Sequence, residues 1–291
     1  MELNNQIVAG PARPAATVIM LRDGADGLEV FLLKRHGLSD VLGGAYVFPG
    51  GKVDGRDAEL DMAAHLDQPL GELHSALNEP GIDAQTAAGL YVAAVREAFE
   101  ESGILFAQGV THELATRATA LLREGQAFDE VLAQMQLRLQ TSSLAPWSRW
   151  ITPVVPSMMS KRFDTRFFVA AVPAGQTAVH DNHEATESVW LRPRAALEQY
   201  RDGHIVLAPP QIMTLAHLTR YSHVQHALLD ARSRMPPVIQ PEPFEHEGNR
   251  VVCYPGDERH PIKERAMPGP TRLRHRNNQF EPFDGFDALF N

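Results

Sequence analysis

Residues 96–104 read Arg-Glu-Ala-Phe-Glu-Glu-Ser-Gly-Ile, and this run constrains the fold more than any other part of the 291-residue chain. It closes the stretch Ala84 to Glu101, whose apolar spacing predicts a helix ended by Gly103. On a helix each residue turns by about 100°, so with Glu97 at zero, Glu101 stands near +40° and Glu100 near −60°. The three carboxylates share one face, while Tyr91, Val92, Val95 and Phe99 fall on the opposite side, at roughly 120–220°. The apolar side needs a core to lie on. The acidic side needs a counter-charge, because like charges on one face repel. Arg96, about 40° from Glu100 and one turn before it, is placed to orient that carboxylate. A hard divalent cation, which prefers carboxylate oxygens, gives such a face a purpose.

Upstream stands Phe48-Pro49-Gly50-Gly51-Lys52-Val53-Asp54-Gly55-Arg56-Asp57. Paired glycines let backbone approach a ligand or present a carbonyl to a metal. The rest of the chain supplies layers. Ala16 to Leu21 and Leu28 to Arg35 read as strands joined by turn residues 23–27, and Tyr46 to Phe48 as a short third. Residues 58–90 look helical in pieces, with breaks at Pro69–Gly71 and Pro80–Gly81, and residues 111–140 hold two helical patterns split near Gly125. Strand character returns at Trp150 to Val155, Arg162 to Val172 and Ser188 to Leu191. Helices follow at 193–202 and about 209–232. Nine of the 21 prolines fall within residues 236–291, which predicts extended or irregular structure with one hairpin, 250–254 against 271–276. The mixture indicates an α/β or α+β sandwich. The expected organisation is one domain over 10–232 and a Pro-rich extension, 233–291, packing on it.

Composition narrows the partners. The chain is 44% apolar and 22% charged, an ordinary globular balance. Twenty-seven basic residues against 36 acidic ones give a net charge of −9, which argues against a general nucleic-acid or membrane-surface binder. A polyanionic small substrate stays open, because a bound cation reverses the local field. The single cysteine, Cys253, excludes an intramolecular disulfide and a cysteine-based zinc site. The N-terminus lacks a basic region followed by an apolar core, and no apolar run reaches the roughly 20 residues of a membrane span. A soluble, cytoplasmic protein is the expectation.

These segments resemble the box of the Nudix hydrolases, G-x5-E-x7-R-E-U-x-E-E-x-G-U with U apolar. Gly51, five residues and Asp57 match its first part, with Asp in place of Glu; Arg96 to Ile104 match the second part fully. Between them lie 38 residues where the box has seven, an insertion of 31. Loop closure grows only logarithmically with length, so this costs about 1.5 kcal/mol. The interruption is similar to that in the branch containing peroxisomal acyl-coenzyme A diphosphatases, as are Trp150-Ile151-Thr152-Pro153 and Arg162 to Phe168. An upstream coenzyme A pattern is partly met: Leu32 to Arg35 are present, but Asp40 stands where a basic residue belongs.

The resemblance implies a Nudix-type α/β/α sandwich with a mixed sheet and metal-dependent hydrolysis of a diphosphate linked to another moiety. Coenzyme A or acyl-coenzyme A is the leading substrate. Mg²⁺ or Mn²⁺ would be held by Glu97, Glu100, Glu101 and the Gly50 carbonyl, with Arg96 anchoring Glu100 and Asp57. Asp57 and Gly103 are structural members of the box. Glu97 is one candidate base; Glu184 and Glu187, in a later loop, are others. Arg35, Lys52, Gly51, Arg162 and Arg166 are candidate substrate contacts. His180 and His183 have an H-x-x-H spacing but read as loop surface. Trp147 and Trp150 read as core anchors, with one of them or Phe48 able to stack on a base. Partners are a small nucleotide diphosphate, neither nucleic acid nor membrane, and a homodimer as the option for assembly. Two other readings stay open: a diphosphatase for ADP-ribose or a dinucleotide, and a non-catalytic nucleotide-sensing module.

Overall fold

Strands β1 (Arg13–Gly24) and β2 (Gly27–Arg35) leave a two-residue connection and pair antiparallel, with Gly24 opposite Gly27. The structure, a computed structural model, describes residues 7–37, 42–155, 161–181 and 185–291. Pairing of β1 with β2 runs only from the turn to Leu21 and Val30; beyond it the strands part. The chain returns to fill the gap. There β3 (Tyr46–Val47) pairs with β2, and β4 (Gly50–Lys52) pairs with β1 at Ala15 to Thr17. The Gly-Gly loop is thereby held between two splayed strands rather than at a free edge.

The box's first part runs into α1 (Gly55–Glu59), and the insertion adds α2 (Met62–His65) and α3 (Leu70–Leu77) before α4 (Ala84–Ser102). Asp83 caps α4 by accepting from the Thr86 N–H at 2.6 Å. Gly103 ends it in the left-handed region, φ 71°, and its N–H reaches the Phe99 carbonyl at 2.8 Å. Then come α5 (His112–Arg123) and α6 (Phe128–Met135), parted at Gly125. Strands β5 (Ala145–Ile151), β6 (Phe163–Ala171) and β7 (Ala185–Leu191) complete the main sheet: β6 lies parallel to β1, β5 antiparallel to β6, and β7 antiparallel to β2.

Period-two alternation splits β1 between two cores. Ala16, Val18 and Met20 face the layer of α4 and the inserted helices, while Ile19 and Leu21 face α7 (Pro193–Arg201), α8 (Pro209–Leu218) and α9 (Val224–Ser233). The result is a helix–sheet–helix sandwich around a mixed sheet. Among the described residues no helix is long and apolar enough to cross a membrane.

Three expectations need correction. The strand expected at 150–155 begins at Ala145 and stops at Ile151, because Pro153 has no N–H for the ladder. The helix expected over 209–232 is two: Asp23, from the β1–β2 turn, accepts from the Val224 N–H at 2.9 Å and starts α9 afresh. The tail is more regular than one hairpin. Its β8 (Val238–Ile239) joins β5, and β9 (Glu242–His246), β10 (Asn249–Cys253), β11 (Arg272–Arg276) and β12 (Gln279–Pro282) form a second antiparallel sheet. Val252, Tyr254, Leu273 and Phe280 of this tail share a core with α7 to α9.

Candidate active site

Asp57 is buried for a local reason. Asp54 caps α1, and the Asp57 carboxylate closes the capping box by accepting from the Asp54 N–H at 2.7 Å. Arg96 then takes it in a fork, Nε to Oδ1 at 2.8 Å and Nη2 to Oδ2 at 2.9 Å. The same guanidinium donates to Glu97 Oε1 at 2.8 Å, to Glu100 Oε2 at 3.1 Å and to the Lys52 carbonyl at 2.9 Å. One side chain thus joins the loop, helix α1 and the acidic face of α4. Burial disfavours its charge, but the bonds to Asp57 and the charges of Glu97, Asp57 and Glu100 outweigh that and hold its pKa well above the ordinary value.

Glu101, 5% exposed, accepts from the Gly50 N–H at 2.9 Å, so the loop backbone fixes that carboxylate. Gly51 is required by close approach: a Cβ there would lie 2.6 Å from Glu97 Cδ. Glu97, Glu100, Glu101 and the Gly50 carbonyl form an all-oxygen donor set, which fits a hard divalent cation. Among the described residues no three His, Cys, Asp or Glu side chains already converge tightly enough to hold one, and Arg96 draws Glu97 and Glu100 to itself.

These groups open on a cavity of about 630 Å³. Strand register explains its floor. Lys52, Ala15, Thr165 and Trp150 stand in one row across β4, β1, β6 and β5, and all four line it. The next row on the same face brings Gly50, Thr17 and Phe167. Arg35, Lys52, Glu97 and Glu100 give one part of the wall its charge. Phe163, Phe167, Trp150, Pro209, Pro210, Pro241 and Val252 make much of the rest apolar.

Of the expected site residues, Arg96, Glu97, Glu100, Gly50, Gly51, Lys52 and Arg35 line this cavity, while Glu101 and Asp57 lie behind it. Arg162 is not brought to the wall; it donates to the carbonyls of Thr152 at 3.0 Å and Gly10 at 2.7 Å. Arg166, one residue out of phase with Thr165 and Phe167, faces the α4 side, where it forks onto Glu79 of the insertion at 2.9 and 2.5 Å. Glu187 lies in strand β7 rather than in a loop, opposite Lys34 at 3.4 Å. There it bonds Tyr46, whose hydroxyl is pushed up to about 12 by burial and by that carboxylate. Glu184, His183 and Asp40 lie outside the described residues; His180 Nδ1 sits 3.1 Å from Ser188 Oγ. Trp147 packs on His217 and Tyr221, away from the cavity. Sequence reasoning missed Phe163, Thr165, Phe167, Gln211, Pro241 and Val252. Alternation along 163–167 carried a signal for the first three. Gln211 left only the oddity of an amide in an apolar helix, and nothing local marked the tail residues.

Comparison with known proteins gives consistent matches. The family profile described as the NUDT19 Nudix domain matches residues 76–218. Acyl-coenzyme A diphosphatase NUDT19 of Xenopus laevis is 29% identical over 277 residues, covering 80% of this chain and 71% of that protein. The Homo sapiens protein of the same name is 27% identical, over 74% of this chain and 67% of its own. A crystal structure of a Nudix hydrolase from Alicyclobacillus acidocaldarius superposes with a TM-score of 0.62 at 27% identity, covering 78% of this chain and 97% of that one.

Proposed function

We propose that this chain is a Nudix hydrolase, as its likeness to that family indicates, and that it hydrolyses the diphosphate of coenzyme A or acyl-coenzyme A, giving 3′,5′-ADP and (acyl-)4′-phosphopantetheine. The supporting observation is the joining of the Arg96-centred carboxylates to a cavity whose remaining walls are largely apolar. Its charged part suits a diphosphate, and its apolar part suits the substituent attached to it. Two relatives named as acyl-coenzyme A diphosphatases support the same choice.

Glu97, Glu100, Glu101 and the Gly50 carbonyl would hold Mg²⁺ or Mn²⁺. When bound, the cation supplies charge neutralisation at the diphosphate and a lowered pKa for water. Glu97, held by Arg96 at the cavity wall, is our choice for the base that takes the proton of the attacking water. Lys52 and Arg35 add positive charge beside the phosphates. Arg96 positions the carboxylates and has no part in proton transfer, its pKa being too high. Gly51 leaves room for Glu97, and Gly103 lets the helix end where its acidic face meets the loop.

A diphosphatase for ADP-ribose or a dinucleotide would use the same carboxylates and is the alternative. A non-catalytic sensor is disfavoured because all three glutamates are retained. The test is a substrate screen with mass detection of products, in Mg²⁺ and in Mn²⁺. Release of 3′,5′-ADP from coenzyme A is the expected result; a preference for AMP release from ADP-ribose would replace this reading with the alternative.

A further inference from the structure

Unpartnered buried polar atoms are rare in folded proteins, and each asks for a reason. Of the eight such side-chain atoms among the described residues, two belong to residues that line the cavity: Trp150 Nε1 and Gln211 Oε1. Trp150 is 5% exposed and Gln211 6%. A third such atom is the hydroxyl of Tyr254, whose ring meets Trp150 edge-on at 5.8 Å. Gln211 follows Pro209 and Pro210 at the start of α8, so the two backbone positions before it offer no N–H to its side chain. An indole N–H is a donor only, and an amide oxygen an acceptor only. Two residues that line the cavity, along with Pro209, Pro210 and Val252, therefore carry one buried free donor and one buried free acceptor.

We propose that Gln211 and Trp150 form an amide-reading subsite, which takes a secondary amide from the extended arm of the substrate. A secondary amide carries one N–H and one C=O, the complement of this pair. The row from Lys52 to Trp150 crosses three strand spacings, roughly 14 Å, so a group that reaches Trp150 from a diphosphate beside Lys52 is drawn out rather than compact. The inference rests on the coenzyme A reading above, whose pantetheine arm carries such amides.

The test uses the full chain with Mg²⁺ and the variant Gln211→Met, which keeps the length of the side chain and removes the orphan oxygen. Removing an unsatisfied buried acceptor leaves the thermal midpoint equal or higher, whereas KM for coenzyme A rises about tenfold, the scale of one lost hydrogen bond. Product inhibition separates the two ends of the substrate. Inhibition by 4′-phosphopantetheine weakens by a similar factor, and inhibition by 3′,5′-ADP does not. Gln211→Asn, which retains a carboxamide, recovers part of the affinity and serves if the Met variant does not fold. An unchanged KM, with or without a lower midpoint, would show a structural amide and overturn the proposal, as would weakened inhibition by 3′,5′-ADP alone. A wild-type protein inert towards coenzyme A removes the functional reading itself, and that is seen before any variant is made.

Discussion

Arg96 bonds four groups in three segments: Asp57, Glu97, Glu100 and the Lys52 carbonyl. Replacing it with Ala leaves Asp57, 3% exposed, as a buried charge without its partner. Urea unfolding should show a loss of about 3–5 kcal/mol, the usual cost of breaking a buried pair from one side. Glu101→Gln makes the opposite test. The Gln oxygen still accepts from the Gly50 N–H, so the melting midpoint should hardly move. Turnover should fall further than the roughly 10–100-fold seen when an outer partner of a metal ligand is lost. Undiminished turnover would remove Glu101 from the chemistry. The Arg96–Glu100 pairing was legible in the sequence because i,i+4 spacing fixes it. The Asp57 contact crosses 39 residues and came only from the family pattern. Arg166 was misread because its charge is visible in the sequence, whereas the strand phase that turns it away from the cavity depends on its partners.

At the scale of elements, α4 was readable in its period and its Gly103 stop, and the structure adds the Asp83 cap at its start. Its relation to the Gly-Gly loop is a matter of packing. Gly51→Ala should therefore lower kcat/KM by about tenfold or more, by displacing the Glu97 carboxylate, with a smaller effect on stability; steady-state kinetics beside thermal melts would check this. The helix expected at 209–232 shows the limit of local patterns. Its break at residues 219–223 is set by Asp23, some 200 positions away, which supplies the cap for α9. Strand β7 likewise takes in Ala185 to Glu187, ahead of the expected start at Ser188, because β2 pairs with it there, across a register shift between Lys34 and Arg35.

Taken as a whole, the molecule holds His217 of α8 half-buried, its ring 4.5 Å from that of Trp147. Burial lowers its pKa to about 4, with the charge of Arg234 adding to the effect. The unfolded chain, titrating near 6.5, binds the extra proton on acidification. Stability from this group is complete above pH 6.5 and is lost as pH falls towards 4, by about 3 kcal/mol in all. His217→Phe should flatten that part of a pH series of urea midpoints; an unchanged slope would rule the group out. The tail belongs at this scale too. Pro241 and Val252 line the cavity, and Tyr254 lies against Trp150, so the extension helps to build the site as well as the core.

The sequence by itself determined the family resemblance, the acidic face of α4 and its two ends, since these depend on residue identities at short, fixed spacing. It also located most of the strands, because period and turn chemistry act locally. Tertiary structure alone decided the size of the cavity, the meeting of β4, β1, β6 and β5 on its floor, and the arrival of α8 and the tail at its far wall. Those features arise from strand register and layer packing between segments far apart in the chain, where no local pattern records which residues will meet.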